Sequence, residues 1–121
     1  MKTINAKWRY DFGEDILYFT KLKKSYSSSV KQEDFIFDLE NEDKICGLEI
    51  LNASKHFHLT KIQLKNISEL KLNLIISEKV IKLEFELEVT LRNSAQNNVL
   101  AVEKINENHF KPMEKSMLAL A

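Results

Sequence analysis

The chain of 121 residues has a single cysteine, a single proline and two glycines, and its eighteen basic and eighteen acidic side chains cancel. Each shortage excludes something. A lone Cys46 rules out an internal disulfide and any metal site built from several cysteines. A formal charge of zero argues against electrostatic capture of nucleic acid or of an anionic membrane as the main activity. No apolar run approaches the ~20 residues needed to span a bilayer, and no basic start leads into an apolar segment. Neither a membrane partner nor a secretory signal is therefore expected, and the expected compartment is the cytoplasm. With Gly and Pro so scarce, turns must be made by Asn, Asp, Ser and Lys. A Gly-rich phosphate loop and a Gly-x-Ser-x-Gly elbow are both missing, so nucleotide and hydrolase readings have no foothold.

What is present reads mostly as strands. Lys7 to Asp11 and Asp15 to Thr20 are rich in aromatic and β-branched residues, and Phe12-Gly13-Glu14 joins them, with Gly13 as the permissive backbone. Tyr26 to Gln32 alternates weakly, as an edge strand would. Phe35 to Leu39 and Ile45 to Leu51 form a hairpin across Asn41-Glu42-Asp43. That loop sets Glu40 opposite Lys44, Asp38 opposite Cys46 and Phe37 across Gly47. It also places Phe35, Phe37 and Leu39 on one face and Ile36, Cys46, Leu48 and Ile50 on the other, as in a central hairpin.

Asn52 or Ser54 is expected to cap a short helix through Phe57. Thr60 with Gln63 matches a capping box for a second helical turn, Lys61 to Ile67. The second half then alternates. Leu70, Leu72, Leu74 and Ile76 share one face of a strand, and Ile81, Leu83, Phe85, Leu87, Val89 and Leu91 share one face of the next. Asn97 to Lys104 reads as a third strand, and the tail from Met113 to Leu120 as a short helix that docks or pairs. The apolar face of this meander must be covered by the helical segment, the first sheet or a second subunit, because each bare aliphatic side chain forgoes roughly 1.5–3 kcal/mol.

Tyr10-Asp11, Asp15 to Tyr18, Asp34 to Asp38 and Gly47 to Ser54 together resemble a small prokaryotic family, the domain-of-unknown-function family twenty-two eighty-three. The resemblance covers about the first 55 residues, with four separated segments in matching order and spacing. The chain departs from the pattern at Asp43, where the family has a hairpin Gly, and at Leu48, where it has Ile. The resemblance implies a β-rich fold followed by a helix, an unassigned function, and an antitoxin-like partner role.

The chain is thus expected to be an α+β protein of mainly antiparallel β meander sheets with one short broken helical segment between the halves. Residues 1–56 form a family-like β domain ending in a short helix. Residues 57–121 form a helical turn, a three-strand meander and a tail, packed with the first half as one unit. Exposed edges and the apolar meander face make a homodimer the expected state.

The candidate polar site is Asp11, Asp15, Asp38 and Glu49. If these carboxylates converge they can bind a metal or move protons, since close like charges push one pKa up; otherwise they hold turns and strand partners. His56 and His58 would diverge on a helix, which is poor geometry for a shared metal. Cys46 has no neighbouring base and reads as a packed small hydrophobe. Lys21 to Lys24 is the one basic loop in which to look for nucleic-acid contact. With no assembled nucleophile, base or metal set, no catalytic residue, cofactor or metal is assigned. The expected function is a non-catalytic protein-binding or regulatory module. A small-molecule or metal-binding enzyme using this carboxylate cluster and a weak nucleic-acid binder are the alternatives.

Overall fold

The structure is a computed structural model that describes residues 3–22, 26–41 and 44–120. Its nine strands are β1 (Thr3–Asp11), β2 (Ile16–Lys21), β3 (Tyr26–Gln32), β4 (Phe35–Glu40), β5 (Lys44–Leu51), β6 (Ile67–Ile76), β7 (Val80–Leu91), β8 (Ser94–Ile105) and β9 (Met113–Leu120). Two five-residue helices, α1 (Ala53–Phe57) and α2 (Lys61–Lys65), sit between β5 and β6. The strands form one sheet in the order β3-β4-β5-β2-β1-β9-β6-β7-β8. The protein is mainly β with a mixed sheet, because β9 runs parallel to β1 while the other pairings are antiparallel.

The tail is the largest departure from the sequence reading. Met113–Leu120 is rich in helix formers, yet it is a strand inserted between β1 and β6. Two waiting strands supply hydrogen bonds on both sides, and that outweighs a propensity difference of at most ~0.7 kcal/mol per residue. Met117 and Ala119 point into the core and are fully buried.

Alternation in β7 places Ile81, Leu83, Phe85, Leu87 and Val89 inward, all buried. Their cover comes from the helical segment and from the first half of the sheet, which curls round to meet them. Phe57 of α1 packs edge-on against Phe85 at 5.4 Å. Phe110, on the segment between β8 and β9, packs on Phe37 at 5.4 Å. At the seam, Gln32 Nε2 donates to the Ile105 carbonyl (2.9 Å), and Lys104 reaches Glu33 (2.9 Å) while its ammonium sits 4.6 Å from the Phe35 ring centre. All these apolar residues belong to one core cluster.

Asn106 locks the seam. Buried, it donates to the Phe110 and Ser77 carbonyls at 2.8 and 3.1 Å and accepts from the Phe110 N–H at 2.8 Å. The crossover to β9 is thereby tied to the turn between β6 and β7.

The β4–β5 register differs from the expected one beyond the Leu39–Ile45 pair. Glu40 does face Lys44, but a bulge at Cys46 puts Asp38 opposite Gly47 and Phe37 opposite Leu48. Leu48 and Ile50 therefore share the core face with Phe35 and Phe37, rather than the opposite one, since cross-strand partners project to the same side. The Glu42 and Asp43 positions of the expected loop lie outside the described residues. Gly47 is not paired with Phe37: its cross-strand partners are Asp38 and Thr20. It faces Thr20 of β2, and a Cβ built there would lie 2.9 Å from Thr20 Oγ1, 3.0 Å from Thr20 Cβ and 3.1 Å from the Phe19 carbonyl oxygen.

Three smaller boundaries also shift. α2 stops at Lys65, and Ile67 opens β6 instead of ending the helix. The capping box is present, with Thr60 accepting from the Gln63 N–H (3.1 Å) and Gln63 accepting from the Thr60 N–H (2.8 Å). β8 begins at Ser94, because Arg92 and Asn93 (φ 51° and 62°) make a two-residue hairpin turn.

Candidate functional site

The turn from β1 to β2 is set by its two aspartates. Asp11 Oδ1 accepts the Glu14 N–H at 2.9 Å, closing a local side-chain turn. The left-handed residue is Asp15 (φ 56°), not Gly13, whose φ is not positive. Asp15 also takes the capping role expected of Asn52 or Ser54. Asn52 makes no side-chain cap and is itself left-handed, so the start of α1 is held from outside. The Asp15 carbonyl accepts the Ala53 N–H (3.0 Å), and its carboxylate accepts the Ser54 N–H (3.1 Å) and the Ser54 hydroxyl (2.6 Å). Tyr10 donates its hydroxyl to the same carboxylate at 2.6 Å.

The electrostatics follow from that wiring. Burial pushes the Asp15 carboxyl up, but the bonds from the Ser54 hydroxyl, Tyr10 and the Ser54 N–H outweigh it and leave the pKa below the ordinary carboxylate value. Burial, reinforced by the bond to Asp15, pushes the Tyr10 phenol well above its usual value.

On its other side α1 is held by a pair that sequence reasoning missed. Asp34, in the turn between β3 and β4, accepts from His56 Nε2 at 2.9 Å, and the His56 ring meets Phe35 edge-on at 5.2 Å. That bond holds the Asp34 carboxyl below its usual value. The two residues are 22 apart in the chain, so no local pattern signals them. Ser54 and His56 stand two positions apart on α1 and face different carboxylates, so Ser, His and Asp do not assemble into a nucleophilic triad. His58 caps the end of α1 and is exposed.

Asp38 and Glu49 sit elsewhere, on the outer face of the sheet. Asp38 is buried and accepts from the Ser29 hydroxyl at 2.8 Å. Glu49 lies between Ile36 and Tyr18 across its strand, with Tyr18 in turn stacked under the Arg9 guanidinium at 4.0 Å. Asp38 pairs with Gly47, whereas Asp11 pairs with Ile16, the partner of Leu51. Three strand spacings and four residues of rise then separate Asp38 from Asp11, roughly 20 Å. The fold brings Asp11 and Asp15 to one turn and leaves Asp38 distant. Among the described residues, no group of three His, Cys, Asp or Glu side chains can hold a metal ion.

Of the basic loop, Lys21 pairs with Glu40, and Lys23 and Lys24 lie outside the described residues. Cys46 is buried and donates to the Asp38 carbonyl at 3.4 Å. Lys115, on the inner face of β9, donates to the Ile45 carbonyl at 2.8 Å. Burial, and then the nearby Lys21 charge, lower its pKa. Among the described residues no helix is long and apolar enough to cross a membrane.

A curated relative from Methanosarcina mazei, named putative hypoxanthine phosphoribosyltransferase, is 35% identical over 92 residues, which are 76% of this chain and 75% of the relative. No solved structure matches the chain significantly. The sequence profile of the family described as Protein of unknown function (DUF2283) matches residues 7–54, from the middle of β1 to the first turn of α1, so this segment carries that family's domain and the rest of the chain lies outside it.

Proposed function

We propose that this chain is a non-catalytic protein-binding or regulatory module, of which an antitoxin-like regulator is one form. The supporting observation is the edge strand β8. It carries twelve residues in unbroken register with β7, and its outward residues Val99 and Ile105 are 74% and 73% exposed. A long unbulged edge presents a row of backbone donors and acceptors to any strand of another chain. The acidic residues are otherwise employed: Asp11 and Asp15 hold a turn and a helix start, and Asp38 takes a serine hydroxyl.

The relative's phosphoribosyltransferase name finds little support in this geometry. A phosphate is commonly held by a glycine-rich loop or by the free N–H groups of a helix start. Here the start of α1 is filled by Asp15, and that of α2 by its own capping box.

The test is a photo-crosslinking residue placed at Val99 in the host cell. A defined protein adduct is expected, and its absence across growth conditions would overturn the proposal.

A further inference from the structure

The protein-binding reading says nothing of what pairs with β8. The two sheet edges are unequal. β3 has seven residues, a bulge between Tyr26 and Ser28, and an outward-facing Lys31, all of which discourage pairing. Its far end is also engaged, since Gln32 bonds both Ile105 and Asn108. β8 has twelve residues and no bulge, and its charges are confined to Glu103 and Lys104 at one end.

Which backbone groups of β8 face outward can be worked out. In an antiparallel ladder, residues alternate between bonding the neighbour and pointing away from it. The Ile105 carbonyl accepts from Gln32, so it points away from β7. By alternation Glu103, Ala101, Val99, Asn97 and Ala95 do the same. The two-residue turn at Arg92-Asn93 agrees, because it makes Leu91 and Ser94 a hydrogen-bonded pair, the opposite parity. No other described strand lies beyond β8. Ile105 is already engaged, so the open segment runs from Ala95 to Glu103. Its midpoint is Val99.

We propose that β8 pairs antiparallel with β8 of a second copy of this chain about a two-fold axis at Val99. This rests on the protein-binding reading and names the partner. The segment is self-complementary. Val99 meets Val99 of the second copy, Asn97 meets Ala101, and Ala95 meets Glu103, making about ten backbone hydrogen bonds. On the inner side Leu100 meets Asn98 and Val102 meets Gln96. No like charges come opposite one another, and the chain's formal charge of zero adds no repulsion between copies. Shifting the axis by one residue toward the end of β8, to Leu100, would set Ala95 opposite Ile105, whose carbonyl Gln32 occupies, and shifting it the other way would shorten the ladder.

Sedimentation and light scattering of the purified chain are expected to give twice the chain mass. Val99→Lys sets two ammonium groups face to face across the axis. It is expected to raise the dimer dissociation constant at least tenfold while leaving the circular dichroism spectrum unchanged, because the position is exposed in the single chain. Val99→Cys is expected to form a disulfide-linked dimer on mild oxidation, since directly opposed residues lie within disulfide reach at about 5.5 Å. Ala95→Cys is expected not to, its two copies being roughly 27 Å apart in this register. The native Cys46 is buried and does not compete. A monomer at high concentration, a dimer untouched by Val99→Lys, or crosslinking by Ala95→Cys in place of Val99→Cys would overturn the pairing. A monomeric protein whose Val99 crosslinks a different protein in the cell would overturn the self-pairing alone. No adduct of any kind would overturn the protein-binding reading with it.

Discussion

Replacing Gly47 by alanine tests the packing of the first half of the sheet through the sign of the effect. Gly47 does not have a positive φ, so alanine can adopt its backbone conformation. Were backbone freedom the only consideration, the substitution would stabilise the fold by ~0.4–1 kcal/mol, by restricting the unfolded chain. The structure argues the reverse. A methyl group at this position would meet Thr20 Oγ1 at 2.9 Å, Thr20 Cβ at 3.0 Å and the Phe19 carbonyl oxygen at 3.1 Å. Thr20 is a branched residue on a paired strand, and the carbonyl belongs to the sheet backbone, so neither withdraws freely. Overpacking of this kind costs ~1–3 kcal/mol. Setting the entropic gain against it leaves a net loss of about 1–2 kcal/mol. For a chain of this size that corresponds to a fall in Tm of roughly 4–8 °C by calorimetry or circular dichroism. Thr20→Ala alone gives up the hydroxyl bond to the Cys46 carbonyl (3.3 Å) and costs ~0.5–1 kcal/mol. In the double substitution the closest clash disappears but the contacts at 3.0 and 3.1 Å remain. The loss should therefore be smaller than the sum of the two single losses, by ~0.5 kcal/mol or more. An unchanged or raised Tm for Gly47→Ala would refute the close approach of β5 and β2.

Three further outcomes follow from the same structure. Asp15 has a folded pKa below the value of 3.8 expected unfolded, so its contribution to stability is present above about pH 4 and lost as pH falls through the folded value; urea unfolding from pH 6 to pH 2 should show this decline, flattened in Asp15→Asn. Asn106→Ala leaves the buried Phe110 N–H and carbonyl unmet and should cost ~2–4 kcal/mol in the same assay. Ending the chain at Pro112 removes β9 and exposes the facing edges of β1 and β6, so amide spectra should lose their dispersion across both halves, not only around β6.

How far the fold could be read in advance depended on the range of the interaction responsible. β7 was legible because burial on one face imposes a period of two on twelve residues, and nothing distant competes with that. The capping box was legible because both of its bonds lie within four residues. β9 was not, because Met, Glu, Lys, Leu and Ala favour a helix locally and only β1 and β6 together make the segment a strand. The bulge at Cys46 left no mark, since its usual signal, a glycine at the extra residue, is absent, and one added residue reverses every inward assignment after it. At the candidate site the residues were identifiable but their partners were not. Asp15 reads locally as a turn residue, whereas its grip on Ser54 spans 39 positions. His56 has His58 as its neighbour in the sequence, but its partner in the fold is Asp34.

The placement of β9 also dictates an order of events during synthesis. Eight strands must be translated before the one that belongs near the middle of the sheet. Until then β1 and β6 each offer a bare flank, so the nascent chain passes through a stage with two sticky, half-built ribbons. Closing the gap requires threading a strand between partners more than sixty residues apart, a long-range step that makes maturation slow and leaves a window for chaperone capture.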